Sequence, residues 1–169
     1  AAFSNTAINS ITIPQSVISM SCSFFGCNEL KSVDFLSNSK LVIISIGECS
    51  IKSITILSYV KTVGSYAFSK CKQLQKIEFA PNSELVSIES SAFSESTISE
   101  IIIPPHVKTI GYSAFSKCKQ LRKIKFAPNS ELVSIGIRAF SESTISEINI
   151  PANAQISSYA FNNCPNYHI

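Results

Sequence analysis

The chain has 169 residues, of which 45% are apolar and only 15% charged; it contains no Trp and carries a formal net charge of +3. That composition excludes a disordered chain. The small charge is not gathered into a basic block, which argues against nucleic acid as a partner. No apolar run approaches the roughly 18–20 residues that a membrane-spanning helix needs.

The chain opens in the back half of a repeat, from Ala2-Phe3 to Pro14, which ends in Ile8-x-x-Ile11-x-Ile13. Residues 17–35 form the next coil, with one position lost between Phe25 and Cys27 and a strand at Leu30-x-x-Val33-x-Phe35. Residues 38–56 read as an irregular short coil that lacks Ala-Phe and ends in Ile51-x-x-Ile54-x-Ile56. A regular run follows: Leu74-x-x-Ile77-x-Phe79, Ile98-x-x-Ile101-x-Ile103, Leu121-x-x-Ile124-x-Phe126 and Ile145-x-x-Ile148-x-Ile150. An eighth strand begins at Tyr167-x-Ile169. Within this run the stretch from Tyr66 to Pro104 recurs, with seven differences, from Ser113 to Pro151. Inside it Ala67-Phe68 returns as Ala92-Phe93, Ala114-Phe115, Ala139-Phe140 and Ala160-Phe161. Self-similarity at this period marks a solenoid, in which each repeat contacts only its neighbours.

The expected domain is therefore a single array over residues 1–169, of about seven to eight coils. It starts and stops in mid-repeat with no signal peptide, as a fragment of a longer array does. Its apolar ends predict end-to-end self-association.

The alternation x-Ile-x-Ile is that of a strand with one buried face. One such strand per coil, stacked in register, predicts a continuous parallel sheet. Val60-x-x-Val63 and Val107-x-x-Ile110 predict a second short strand. Ala-Phe-x-x-Cys reads as one helical turn, because Ala67 and Cys71 are four apart and share a face. The expected fold class is an α/β solenoid, with Phe68, Phe93, Phe115, Phe140 and Phe161 stacked as a spine.

Cys27, Cys71, Cys118 and Cys164 hold one repeat position and recur in every second repeat. At ~4.8 Å per coil, successive members lie roughly 10 Å apart, beyond the Cα separation a disulfide bridges. They read as small buried thiols. Cys22 and Cys49 fall out of phase, and either could meet Cys27 across adjacent coils.

The spacing matches the leucine-rich repeat, L-x-x-L-x-L-x-x-N; Asn38, Asn82 and Asn129 stand at its Asn position. The run from Ile101-Ile102-Ile103-Pro104 through Ala114-Phe115-x-x-Cys118-x-x-Leu121 resembles more narrowly the BspA-like (Treponema pallidum type) leucine-rich repeat family. The resemblance covers nearly the whole chain. It implies a right-handed coil with a parallel sheet on the concave face and short helical turns on the other side. It also implies a cell-surface or extracellular protein, since members are typically surface proteins of bacteria and parasitic protists. Some are implicated in adhesion to host matrix proteins such as fibronectin or fibrinogen.

Residues between the buried strand positions face outward. One column runs Ser10, Ser32, Ser53, Lys76, Glu100, Lys123, Glu147; the other runs Thr12, Asp34, Thr55, Glu78, Ile102, Lys125, Asn149. The alternating sign from Lys76 to Glu147 predicts charge pairing between strands. The two long repeats keep their Phe, Cys, Leu and buried Ile residues. They differ at Glu78/Lys125 and Ile102/Asn149 in the second column, and at Glu89/Gly136, Ser90/Ile137 and Ser91/Arg138 in the turn before Ala-Phe. An unchanged core under a varying surface fits a recognition scaffold, because surface changes cost little stability. The candidate ligand contacts are Lys76, Glu78, Glu100, Ile102, Lys123, Lys125, Glu147 and Asn149. Catalytic residues, cofactor and metal are not expected. His106 occupies the Asn position of its repeat and reads as a turn-stabilising residue, and no nucleophile, phosphate-loop or zinc motif is present. The sequence reads as a non-enzymatic protein-binding module or as a structural spacer.

Overall fold

The computed structural model describes residues 3–21, 24–36 and 38–166. Cys22 and the strand expected at Tyr167-x-Ile169, with His168, lie outside the described residues. The chain order is β1 (Ser10–Ile13), β2 (Ser32–Phe35), β3 (Ile43–Ile44), β4 (Ser53–Ile56), β5 (Thr62–Val63), β6 (Lys76–Phe79) and β7 (Ser87–Ile88). It continues with β8 (Glu100–Ile103), β9 (Thr109–Ile110), β10 (Lys123–Phe126), β11 (Ser134–Ile135), β12 (Glu147–Ile148) and β13 (Gln155–Ile156). All pairings between these strands are parallel, as successive coils of one solenoid require.

The x-Ile-x-Ile strands form where the spacing places them. In β4 and β8 the first and third residues are exposed, and the second and fourth are buried. Register sets Ile77 on Ile54, Ile124 on Ile101 and Ile148 on Ile124. Equivalent aliphatics thus share one interior. These strands do not form one continuous sheet, however. They fall into three ladders, β1–β2, β4–β6 and β8–β10–β12. The continuous sheet is built from the two-residue strands instead, six of them in the order β3-β5-β7-β9-β11-β13.

The expected helical turns are absent: no described residue is helical. The backbone hydrogen bonds show why. The amides of Ala67, Ser69 and Cys71 close local turns onto Gly64, Tyr66 and Phe68, three residues back. The alternate amides of Tyr66, Phe68 and Lys70 donate to Ser90, Ala92 and Ser94 of the next coil. A helix needs every amide to point back along its own axis, so a segment that shares half of them with a neighbour cannot be one. The chain manages the alternation by entering the left-handed region twice per turn, at Tyr66 (φ 57°) and Lys70 (φ 55°). The same pair of positions recurs at Ser91 and Glu95, Ser113 and Lys117, Arg138 and Glu142, and Tyr159 and Asn163. Such a residue costs roughly 1–2 kcal/mol, which the bonds between coils offset.

The aromatic spine forms as expected. Phe68, Phe93, Phe115, Phe140 and Phe161 stack in sequence with ring centroids 5.0–5.3 Å apart. Burying one such ring contributes roughly 1.5–3 kcal/mol, and each stacked contact adds about 0.5–1.5 kcal/mol. The column also reaches coils where the sequence hides it. Ile46 donates its amide to Ala67 at 2.7 Å, as Phe68 does to Ala92 at 2.6 Å, so Ile46 fills the Phe position of residues 38–56. That coil is short because it passes from Ile44 to Ile46 where the next passes from Val63 to Phe68; both pairs hold equivalent places. Phe24 stacks on Phe3 at 5.2 Å. Phe24, not Phe25, is therefore the column residue, and no position is lost before Cys27.

Three residues after each of the seven rings and Ile46 lies a second column: Thr6, Cys27, Cys49, Cys71, Ser96, Cys118, Ser143 and Cys164. Cys49 is thus in phase, against the expectation from sequence. The displaced landmark in its coil, Ile for Ala-Phe, had put it out of step. The five cysteines of the column are free and buried. Ser96 Oγ lies 3.6 Å from Cys118 Sγ and Ser143 Oγ 3.5 Å from Cys164 Sγ, whereas Cys49 Sγ lies 2.8 Å from Cys71 Sγ. Burial pushes the Cys118 thiol up to about 12.

Candidate functional site

The strands present the two predicted columns to solvent. Lys76, Glu78, Glu100, Ile102, Lys125, Glu147 and Asn149 are exposed, and Lys123 is half-buried. Ile102, with 57% of its surface accessible, is an apolar side chain in a row of charges. Register places Lys123 between Glu100 and Glu147, and Lys125 beside Ile102. Asn149 follows the end of β12.

The expected alternation of charge pairs forms in one rung only. Lys123 pairs with Glu147 of the next strand. Lys76 turns instead to Glu78 on its own strand, at 2.8 Å. Glu100 and Lys125 are in no ion pair among the described residues. Exposed pairs of this kind contribute about 0–1 kcal/mol, so breaking them to meet a partner costs little.

Lys76 and Glu100 fail to pair where the ladder is interrupted. At the β4–β6 step Ala80 donates its amide to Ile56 at 2.9 Å, and at the β8–β10 step Ala127 donates to Ile103 at 2.9 Å. The equivalent residue at the β6–β8 step is Pro104, which has no N–H. Proline is tolerated in sheets only at edges and ends, and here it makes both. Pro151 has the same effect in milder form: β12 stops at Ile148. Where Pro104 is followed by Pro105, no rung forms at all.

The interruption opens a cleft of about 820 Å³ between β6 and β8. It gathers four of the eight predicted contacts, Lys76, Glu78, Glu100 and Ile102, and is also lined by half-buried Phe79 and by Ile77 and Ile101, whose side chains belong to the core. Lys123, Lys125, Glu147 and Asn149 continue the same face outside the cleft. Sequence reasoning missed the wall of the cleft, formed by Asn82, Ser83, Glu84, Pro104, Pro105 and His106. The signal that could have found it is the proline doublet at the end of a strand. His106 takes a bridging part, with Nδ1 2.9 Å from Oε1 of Glu131 in the next coil.

The three turn differences that accompany the strand-face differences have a partly steric origin. A Cβ on Gly136 would sit 2.8 Å from the backbone of Gly111, so the backbones of these coils approach too closely for a side chain. At the equivalent Glu89 the carboxylate accepts both the amide and the hydroxyl of Ser65, each at 3.1 Å. Ile137 and Arg138 are exposed on this turn side. A polar cleft of about 430 Å³ lies there, bordered by Tyr112, Arg138 and Glu142. No group of three His, Cys, Asp or Glu side chains placed to hold a metal is found among the described residues. No described helix is long and apolar enough to cross a membrane.

Known structures share this architecture. The pneumococcal vaccine antigen PcpA is 21% identical with a TM-score of 0.57, over 83% of this chain and 40% of that one. A leucine rich cell surface protein from Faecalibacterium prausnitzii A2-165 is 20% identical with a TM-score of 0.53, over 95% of this chain and 72% of the other. A leucine-rich repeat protein from Eubacterium ventriosum ATCC 27560 is 22% identical with a TM-score of 0.54, over 94% and 59%. The chain thus spans less than half the length of the pneumococcal antigen. At these identities the likeness is one of fold. No curated protein sequence matches the chain. The BspA type leucine rich repeat region is matched in six copies over residues 1–48 and 45–168. The chain belongs to the BspA type leucine-rich repeat family.

Proposed function

We propose that the chain is a non-enzymatic binding module of a surface or secreted adhesin-like protein, which takes a host protein or glycan on its exposed strand face. The observation that carries this reading is the cleft between β6 and β8. It sets exposed Ile102 beside half-buried Phe79 and Glu100, which is in no ion pair among the described residues, on a face whose ion pairs are exposed to solvent. Burying Ile102 and the apolar atoms of the cleft against a partner is the favourable contribution, while the flanking charges set orientation and partner choice. The description of one structural neighbour as a cell surface protein and of another as a vaccine antigen supports the surface location. The expected probes are fibronectin, fibrinogen and an array of host glycans. Saturable binding of the chain to one of them is the predicted result.

A second reading, a structural spacer holding other domains away from a cell surface, draws on the unbroken features. The five-ring stack and the six-stranded ladder run on where the strand-face sheet is broken. It predicts that none of these probes binds.

A further inference from the structure

We propose that Cys49 and Cys71 are a disulfide-forming pair that staples two successive coils of the array. Their sulfurs lie 2.8 Å apart, closer than two unbonded sulfurs rest. Both side chains are buried, at 4% and 0% exposure. The backbone around them is already in register, with Ile46 donating to Ala67 and Glu48 to Ser69, each at 2.7 Å. Adjacent coils spaced ~4.8 Å apart put the two Cα atoms within the range of about 4.4–6.8 Å that disulfides span. Cys27 stands one coil to the other side of Cys49 but is engaged away from it. Its thiol donates to the Phe3 carbonyl at 2.9 Å and touches Thr6 Oγ1 at 3.5 Å. Cys118 and Cys164 face serines. The pair lies three residues along from Ile46 and Phe68, where an aliphatic side chain interrupts the aromatic column. The staple therefore ties the irregular coil of residues 38–56 to the coil after it. This inference is independent of the binding reading.

The oxidant is a low-molecular-weight disulfide such as glutathione disulfide, met while the coil is still open. Cys49, reachable while the coil is open, attacks as thiolate. One oxidant sulfur leaves as a thiolate and takes up the proton that Cys49 lost. Cys71 Sγ, giving up its own proton, then attacks Cys49 Sγ in the mixed disulfide, and the second oxidant thiol departs. Two protein thiols lose two protons and two electrons; one small disulfide becomes two thiols.

The test is to refold the full chain with oxidised and reduced glutathione or with reductant alone, block remaining thiols in denaturant and map peptides without reduction. The expected product carries a Cys49–Cys71 link, weighs two hydrogen atoms less and melts about 5–10 °C above the reduced chain. Cys49→Ser, which places at this position the residue that the same column carries at Ser96 and Ser143, folds and loses that redox dependence. Cys27→Ser keeps it. Full alkylation of both Cys49 and Cys71 after oxidative refolding, or a link from Cys27 to Cys49 instead, would overturn the proposal.

Discussion

Ala127 donates its backbone N–H to the carbonyl of Ile103 at 2.9 Å, and the residue in Ala127's place one coil earlier is Pro104. The missing donor stands where β6 and β8 part, and Pro105 follows it; beside Pro151, which has a non-proline neighbour, β10 and β12 still pair over two residues. Pro104→Ala is expected to restore the rung to Phe79 and draw β8 toward β6. The new hydrogen bond adds about 0.5–1.5 kcal/mol, and loss of proline's restraint on the unfolded chain removes about 0.4–1 kcal/mol. Stability therefore changes little. Hydrogen exchange at the new amide reports the rung directly, with protection like that of Ala127 expected. Exchange at the rate of a free amide would show that the break has another cause.

The aromatic column makes a prediction about stability. Phe115 is fully buried, with Phe93 and Phe140 stacked at 5.0 and 5.3 Å on its two faces. Phe115→Ala is expected to cost about 3–5 kcal/mol, whereas Ile102→Ala, on the exposed face, changes stability by less than about 0.5 kcal/mol. Urea denaturation of the two variants checks both. Equal losses would mean that the rings do not carry the array.

Much of this column was legible in the sequence, and its gaps have physical reasons. Ala67-Phe68 and its later copies are recognisable because nearly every residue around them is repeated. Ile46 was hidden because its coil changes both landmarks together: an aliphatic replaces the ring and the preceding turn is shortened. Sequence does not separate Phe24 from its neighbour Phe25, since only the stacking on Phe3 tells two adjacent rings apart. The turn at Ala67 and Cys71 resembles a helical one in sequence because a spacing of four is the same in a helix and in two tight turns. The deciding residues, Tyr66 and Lys70, adopt left-handed backbone without being Gly or Asn. The outward columns were legible from period two alone. The cleft was not, because it depends on which strands fail to pair.

Buried Cys118 gives a pH dependence. Its thiol titrates near 9.0 when unperturbed and is pushed up to about 12 by burial. A group whose pKa is raised on folding holds its proton more tightly in the native state. Its contribution is complete below the unfolded value and is lost as pH rises from about 9 toward 12. The loss is on the order of 4 kcal/mol for a shift of this size. The melting temperature is expected to fall across that range, and less steeply for Cys118→Ser. Thermal melts at stepped pH check this; identical slopes for both proteins would refute it.

The strand face is tested most directly by measuring the affinity of the chain for fibronectin, fibrinogen and the glycan array before and after substitution on each side of the coil. Ile102→Asp combined with Lys123→Glu and Lys125→Glu is predicted to weaken binding at least tenfold, or about 1.4 kcal/mol, while Arg138→Glu on the turn side leaves it unchanged. Binding that survives the strand-face substitutions and is lost with Arg138→Glu, or no binding to any probe, would contradict recognition through that face.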